Sequence, residues 1–143
     1  MHIHQISVFL ENRTGQLAEI TRLLAQENVD IRALSIAETA DYGLARMIVD
    51  DSNKASAILL QHGDILSMTP VWAVEVPDAP GGLAQVLEVL AQNHVDVEYM
   101  YSLFTHRNDT AYMVMRISDE AKFLDAMGSQ SIRIMTKEDL NLK

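Results

Sequence analysis

The sequence predicts an α+β protein built from two tandem βαββαβ domains. Two observations carry that expectation. The first is an internal repeat: sliding the chain by 66 positions pairs Val8 with Val74, Gly15 with Gly81, Leu17 with Leu83 and Ala18 with Ala84. The same shift sets Leu24-Ala25-Gln26 on Leu90-Ala91-Gln92, Val29-Asp30 on Val95-Asp96 and Thr39 on Thr105. A copy of this length is a whole small domain, longer than the roughly 20 to 50 residues of a solenoid unit. The second is that strand-like and helix-like periods follow one another in the same order in both copies.

The elements can be justified in turn. Ile3–Glu11 alternates, with Ile6, Val8 and Leu10 on one face and Ser7, Phe9 and Glu11 on the other, the period of a half-buried strand. Asn12-Arg13-Thr14-Gly15 supplies turn and cap residues, and Leu17, Ile20, Leu23 and Leu24 then make a helical stripe ended by Asn28. Ile31–Thr39 reads as a strand, Asp41-Tyr42-Gly43 as a hairpin turn and Leu44–Asp50 as the returning strand. Asp51-Ser52 can cap a second helix, which His62-Gly63 ends with Gly as the left-handed cap, and Ile65–Met68 makes a short last strand.

The second half repeats the order. Trp72–Val76 is a strand, and Asp78-Ala79-Pro80-Gly81-Gly82 is a loop in which Pro80 suits a first helical turn. Leu83–Gln92 is helical, Val97–Thr105 and Ala111–Ile117 form a hairpin about Arg107-Asn108-Asp109, and a helix starts at Ser118-Asp119 and ends near Gly128. Ile132–Met135 closes the copy, and Lys137–Lys143 reads as a loosely held polar tail. Right-handed crossovers put both helices of a copy on one face of an antiparallel sheet, a ferredoxin-like arrangement. The expected domains are residues 1–70 and 71–143, joined side by side into an eight-stranded sheet, because Thr69-Pro70-Val71 is too short for a flexible tether.

Composition narrows the function. Hydrophobic residues make up 48% of 143, and mean hydropathy is near zero, as in an ordinary globule. The net charge of −9 is spread over both halves: residues 1–70 carry five basic and nine acidic side chains, the rest six and eleven. That balance argues against nucleic acid, whose phosphates call for Lys and Arg, and against anionic membrane surfaces. The absence of cysteine excludes disulfides, thiolate chemistry and Cys-based zinc sites. No apolar run approaches the roughly 18 residues of a membrane helix, and Met1-His2-Ile3-His4-Gln5 is no signal peptide. A cytoplasmic location is expected.

The most informative local feature is the first loop of each copy, where a strand ends in Asn or Asp and Gly-x-Leu-Ala opens a helix. A helix N-terminus offers unpaired N–H groups and the positive end of a dipole, which together accept a carboxylate. Glycine lets a ligand or a neighbouring domain come close to the backbone; the simpler role is a tight strand-to-helix turn. The pattern Val8-x-Leu10-x-Asn12-x-Thr14-Gly15-x-Leu17-Ala18, then Asn28-Val29-Asp30-Ile31, resembles the ACT domain family of small-molecule regulatory modules. So does Val74-x-Val76-x-Asp78-x-Pro80-Gly81-x-Leu83-Ala84, then His94-Val95-Asp96-Val97. The resemblance implies a stand-alone tandem regulatory protein that binds an amino acid between two such domains and regulates an unidentified enzyme or transporter. It implicates Asn12, Arg13, Thr14, Gly15, Gln16 and Leu17, with Asp78, Ala79, Pro80, Gly81, Gly82 and Leu83. Asn12 or Asp78 would serve the ammonium. The copies differ here, so the two sites need not bind alike.

Other chemistry is thin. His2 and His4 share one side of a strand and could clamp a metal, though residues at a wet edge explain them as well. No nucleophile and base form a set, and no phosphate loop is present; neither a metal nor a cofactor is expected. His94, Asp96 and Arg32 are the first acid–base candidates if the chain is an enzyme, which is not the expectation. RNA-recognition domains share the βαββαβ order but stack bases on aromatics over a basic sheet, which an acidic chain does not offer. If Ile6, Val8 and Met47 face the helices, then Phe9, Ile48, Tyr99, Tyr101, Leu103, Tyr112 and Val114 face away. A bare apolar face marks an interface. It predicts a homodimer, and offers the alternative function of a docking or oligomerisation module without ligand.

Overall fold

The structure, a computed structural model, describes residues 2–11, 13–38 and 41–143. Asn12 and Thr39, named above, lie outside them. Elements follow the order β1 (Ile3–Glu11), α1 (Gln16–Gln26), β2 (Ile31–Glu38), β3 (Tyr42–Val49), α2 (Ser52–His62) and β4 (Leu66–Pro77). Then come α3 (Gly82–Gln92), β5 (Val97–Ser102), β6 (Thr110–Ile117), α4 (Glu120–Ser129) and β7 (Ile134–Met135). They form two compact units, His4–Thr69 with Asn141–Lys143, and Pro70–Leu140 with the N-terminal residues through Ile3.

In the first unit β1 lies between β3 and β4, and β2 flanks β3. Ile6 stands opposite Met47 and Val8 opposite Ala45 in the antiparallel β1–β3 pair. The alternation of β1 turns Ile6, Val8 and Leu10 onto one face, where they meet Ile20 and Leu24 of α1 and Ala55 and Leu59 of α2 in one buried cluster. In the second unit β4 pairs with β6 and β7, and β5 flanks β6. Trp72, Val74 and Val76 pack there with Val86 and Leu90 of α3 and Phe123, Ala126 and Met127 of α4. The repeat extends to irregularities: a bulge falls between Ile31 and Ala33 in β2 and again between Val97 and Tyr99 in β5. Each half is therefore the expected βαββαβ unit with its helices over one face, but the strands number seven among the described residues and not the expected eight, because β4 serves as the last strand of one copy and the first of the next.

Five details depart from the sequence expectation. The strands expected at Ile65–Met68 and Trp72–Val76 are one, β4, which runs through Pro70. Proline is tolerated in a strand where no ladder bond needs its missing N–H, and the Pro70 carbonyl accepts from Arg116 Nη1 at 2.9 Å. Both β5 and β7 are shorter than expected, ending at Ser102 and spanning Ile134–Met135. Pro80 lies in the turn before α3, since Gly81 holds the cap position. The C-terminal tail is tied down by Thr136 and Asp139, which cap each other's N–H groups at 2.9 and 3.1 Å. Leu140 is buried, and the Lys143 N–H donates to the Asp50 carbonyl at 2.8 Å.

The fifth departure concerns the face turned away from the helices. Ile48, Tyr101, Leu103, Tyr112 and Val114 are all buried within a single chain. Their apolar area is already out of water, while Phe9 and Tyr99 of the same expected face are half-buried.

Candidate functional site

β1 ends at Glu11, whose carbonyl accepts from the Arg13 N–H at 2.7 Å, and the chain turns into α1 through Gly15 at φ 87°. Gly81 does the same before α3 at φ 85°. Positive φ is steep for any residue with a Cβ, which explains glycine at both places. A Cβ there would meet nothing within 4 Å, so the space beside each turn is open. Neither glycine can cap its helix with a side chain, whereas Asp51 and Asp119 cap α2 and α4 by accepting from Lys54 and Lys122 N–H groups at 3.1 and 3.0 Å. The first turns of α1 and α3 are thus the two that keep N–H capacity for something else.

In the first half a chain of ionic contacts stands beside this turn. Arg13 Nη1 lies 3.2 Å from Glu19 Oε2, and the other oxygen of Glu19 is 3.0 Å from His62 Nε2. His62 Nδ1 lies 2.8 Å from Asp64 Oδ2. The Asp64 hydrogen bond, aided by the nearby Asp64 and Glu19 charges, raises the His62 pKa against a smaller effect of desolvation. Glu19 is held below its ordinary value, chiefly by its hydrogen bond to Arg13. These groups, with Glu11 and Gln16, line a cavity of about 270 Å³. On the other side of Arg13, a second hollow of about 320 Å³ adds Thr14, Ile36 and Tyr42.

Among the residues expected to bind, the structure thus brings Arg13, Thr14 and Gln16 to two adjoining cavities, with Gly15 in the turn between Thr14 and Gln16. Leu17 packs against the core instead, and Asn12 lies outside the described residues. In the second half Asp78, Ala79 and Pro80 form an exposed turn, tied by the Asp78 N–H to the Asp109 carbonyl at 2.9 Å. Gly82 is buried, and a Cβ there would run into the Pro77 carbonyl oxygen, while Leu83 is exposed. A larger cavity, about 560 Å³, lies beside this loop rather than within it, lined by Pro77, Gln85 and Gln130 among others.

Sequence reasoning missed Glu19, His62 and Asp64. His62-Gly63 was legible only as a helix end, which it is, with Gly63 at φ 97°. What brings it to Glu19 is the packing of α2 beside α1, which no local pattern records. Of the acid–base candidates, Arg32 is held by Asp30 at 2.7 Å, and His94 sits at φ 56° just past the end of α3. His2 packs edge-on against Trp72, ring centroids 6.0 Å apart. Among the described residues no helix is long and apolar enough to cross a membrane.

Comparison with known proteins matches residues 1–142 to the family model of the ACT domain pair. Protein BT0572 from Bacteroides thetaiotaomicron is 38% identical, with 99% of this chain and 96% of that one covered and a TM-score of 0.91. The regulatory subunit of aspartate kinase from Thermus thermophilus, in its ligand-free form, shares the fold at 14% identity, with a TM-score of 0.65 over 88% of this chain and 90% of that one. The corresponding subunit from Thermus flavus gives 0.62 at 15% identity, with 88% and 90% covered. No curated protein sequence matches.

Proposed function

The chain belongs to the family of ACT domain pairs, and from that premise we propose that it is a regulatory, non-catalytic protein that senses a small amino acid. One observation carries the reading. The same arrangement stands twice: a left-handed glycine, open space where its Cβ would be, and a helix whose first turn has no side-chain cap from that position. The other two helices are capped by aspartate. A ligand carboxylate fits such a turn, because it supplies the acceptors and the negative charge that the turn lacks. Arg13 and Thr14 border the first-half turn, and Asp78 the second, so polar groups that can orient a zwitterion stand close by. The role of the aspartate kinase neighbours, a regulatory subunit, extends to this chain by likeness of shape. The acidic, cysteine-free composition suits a cytoplasmic location.

The reading is tested by a thermal-shift screen of the common amino acids at millimolar concentration. A ligand at about 100 times its Kd stabilises the folded state by about 2.7 kcal/mol. At least one amino acid should raise the melting temperature, and Gly15→Val with Gly81→Val should remove the shift. No shift with any amino acid would sink the sensor. The alternative, a docking module without ligand, drew on a bare apolar face, and five of that face's seven residues are buried.

A further inference from the structure

The first-half cavity contains a polar atom that the free chain leaves unused. Gln16 is 8% exposed, and its Oε1 is buried with no hydrogen-bond partner. An amide oxygen in that state has lost its water and gained nothing, a cost that a ligand donor recovers. The surroundings select the kind of donor. Glu11, Glu19 and Asp64 bring three carboxylates to the cavity against Arg13 and His62. Glu19 already engages both cations, and Asp64 holds the far side of His62. With the cations committed, the spare capacity is acceptor capacity, and it favours a donor that is positively charged.

Resting on the amino-acid reading above, we propose that this cavity receives the ligand's primary ammonium, with Gln16 Oε1 as an acceptor, and that the chain has one such site rather than two. The second half lacks the counterpart of Gln16. Gly82 stands where the repeat places Gln16, so there is no carboxamide. Gln85 replaces Glu19, and Gln130, at the same distance behind its Asp cap, replaces His62. The second cavity is about twice the volume, 560 against 270 Å³, and its charged lining, Glu75, Glu88, Asp109 and Arg133, comes from positions that do not repeat Glu19, His62 and Asp64. Gln16 is therefore the specificity residue that makes the halves unequal.

The test uses the whole chain and two small cations as probes. Methylammonium carries N–H donors; tetramethylammonium has the same charge and none. In 1H–15N spectra methylammonium should shift the Gln16 side-chain amide and leave the Gly82 region unmoved, and tetramethylammonium should move neither. Gln16→Met, similar in length and apolar, should melt higher than the wild type when free, because an unsatisfied oxygen is gone. It should also bind the amino acid about tenfold more weakly, as expected for one lost charge-assisted hydrogen bond. Calorimetry should count one amino acid per chain. Equal shifts by both cations, no movement of Gln16, unchanged affinity in Gln16→Met, or two equivalent sites would each overturn the proposal. The probe comparison needs no variant, so a poorly folding Gln16→Met leaves the test intact. If methylammonium moves Gln16 while no amino acid binds, the sensor reading fails and the ammonium site stands.

Discussion

His62 takes its charge state from two carboxylates, and the sign of its effect on stability follows. Its pKa is raised, first by the hydrogen bond to Asp64 and then by the charges of Asp64 and Glu19. Its contribution is fully present below the ordinary histidine value of about 6.5 and is lost as pH rises through the raised value. An NMR titration should give His62 a midpoint above that ordinary value, and Glu19→Gln should bring the midpoint down. A midpoint at or below it in the wild type would contradict the contacts described. Glycine supplies a second residue-scale prediction. Gly15→Ala meets open space but a left-handed φ, and should cost about 1–2 kcal/mol in urea unfolding. Gly82→Ala needs no such φ, yet its Cβ strikes the Pro77 carbonyl, so the backbone must move and the loss should be larger.

The helices divide into two kinds by how they begin. Asp51 and Asp119 satisfy a first-turn N–H with a side-chain oxygen, and Asp51→Ala or Asp119→Ala should each lower stability by about 1 kcal/mol. Neither change should alter ligand binding, which thermal shift with and without ligand would show. These caps were legible in the sequence because an N-cap needs only one residue type at one place. Strand faces were legible for the same reason: the period of two in Ile6-Ser7-Val8-Phe9-Leu10 fixes which side meets the helices, and the core clusters follow it. The tail was not. Its hold depends on the reciprocal bonds of Thr136 and Asp139 and on Asp50, some 90 residues away in sequence, and polarity alone made it look loose. Pro70 misled in the same way, since a breaker in the sequence need not break a strand whose ladder does not use its nitrogen.

At the scale of the molecule, the repeat gave the fold, because each copy carries the whole pattern of one unit. The period of two could not say that Tyr101 and Tyr112 would be buried, since it assigns a face and not what covers it. Tyr101 and Tyr112 are 9% and 3% exposed. Tyr101→Lys should therefore unfold or strongly destabilise the single chain by burying an unpaired ammonium, rather than split a dimer. Circular dichroism melting with light scattering separates the two outcomes: a stable, folded variant of lower mass would contradict the burial. The candidate site was half legible. The sequence pointed to Arg13 through Gln16, but the ionic contacts of Glu19 and His62 required the packing of α1 against α2. The central claim is that these first loops take an amino acid, and the most direct measurement is the backbone amide spectrum during titration with each common amino acid at millimolar concentration. One amino acid should move the amides of Gly15, Leu17 and Ala18 in a saturable way while those of the cores stay still. If no amino acid moves them, or if the shifts scatter over the surface without saturating, the account is wrong.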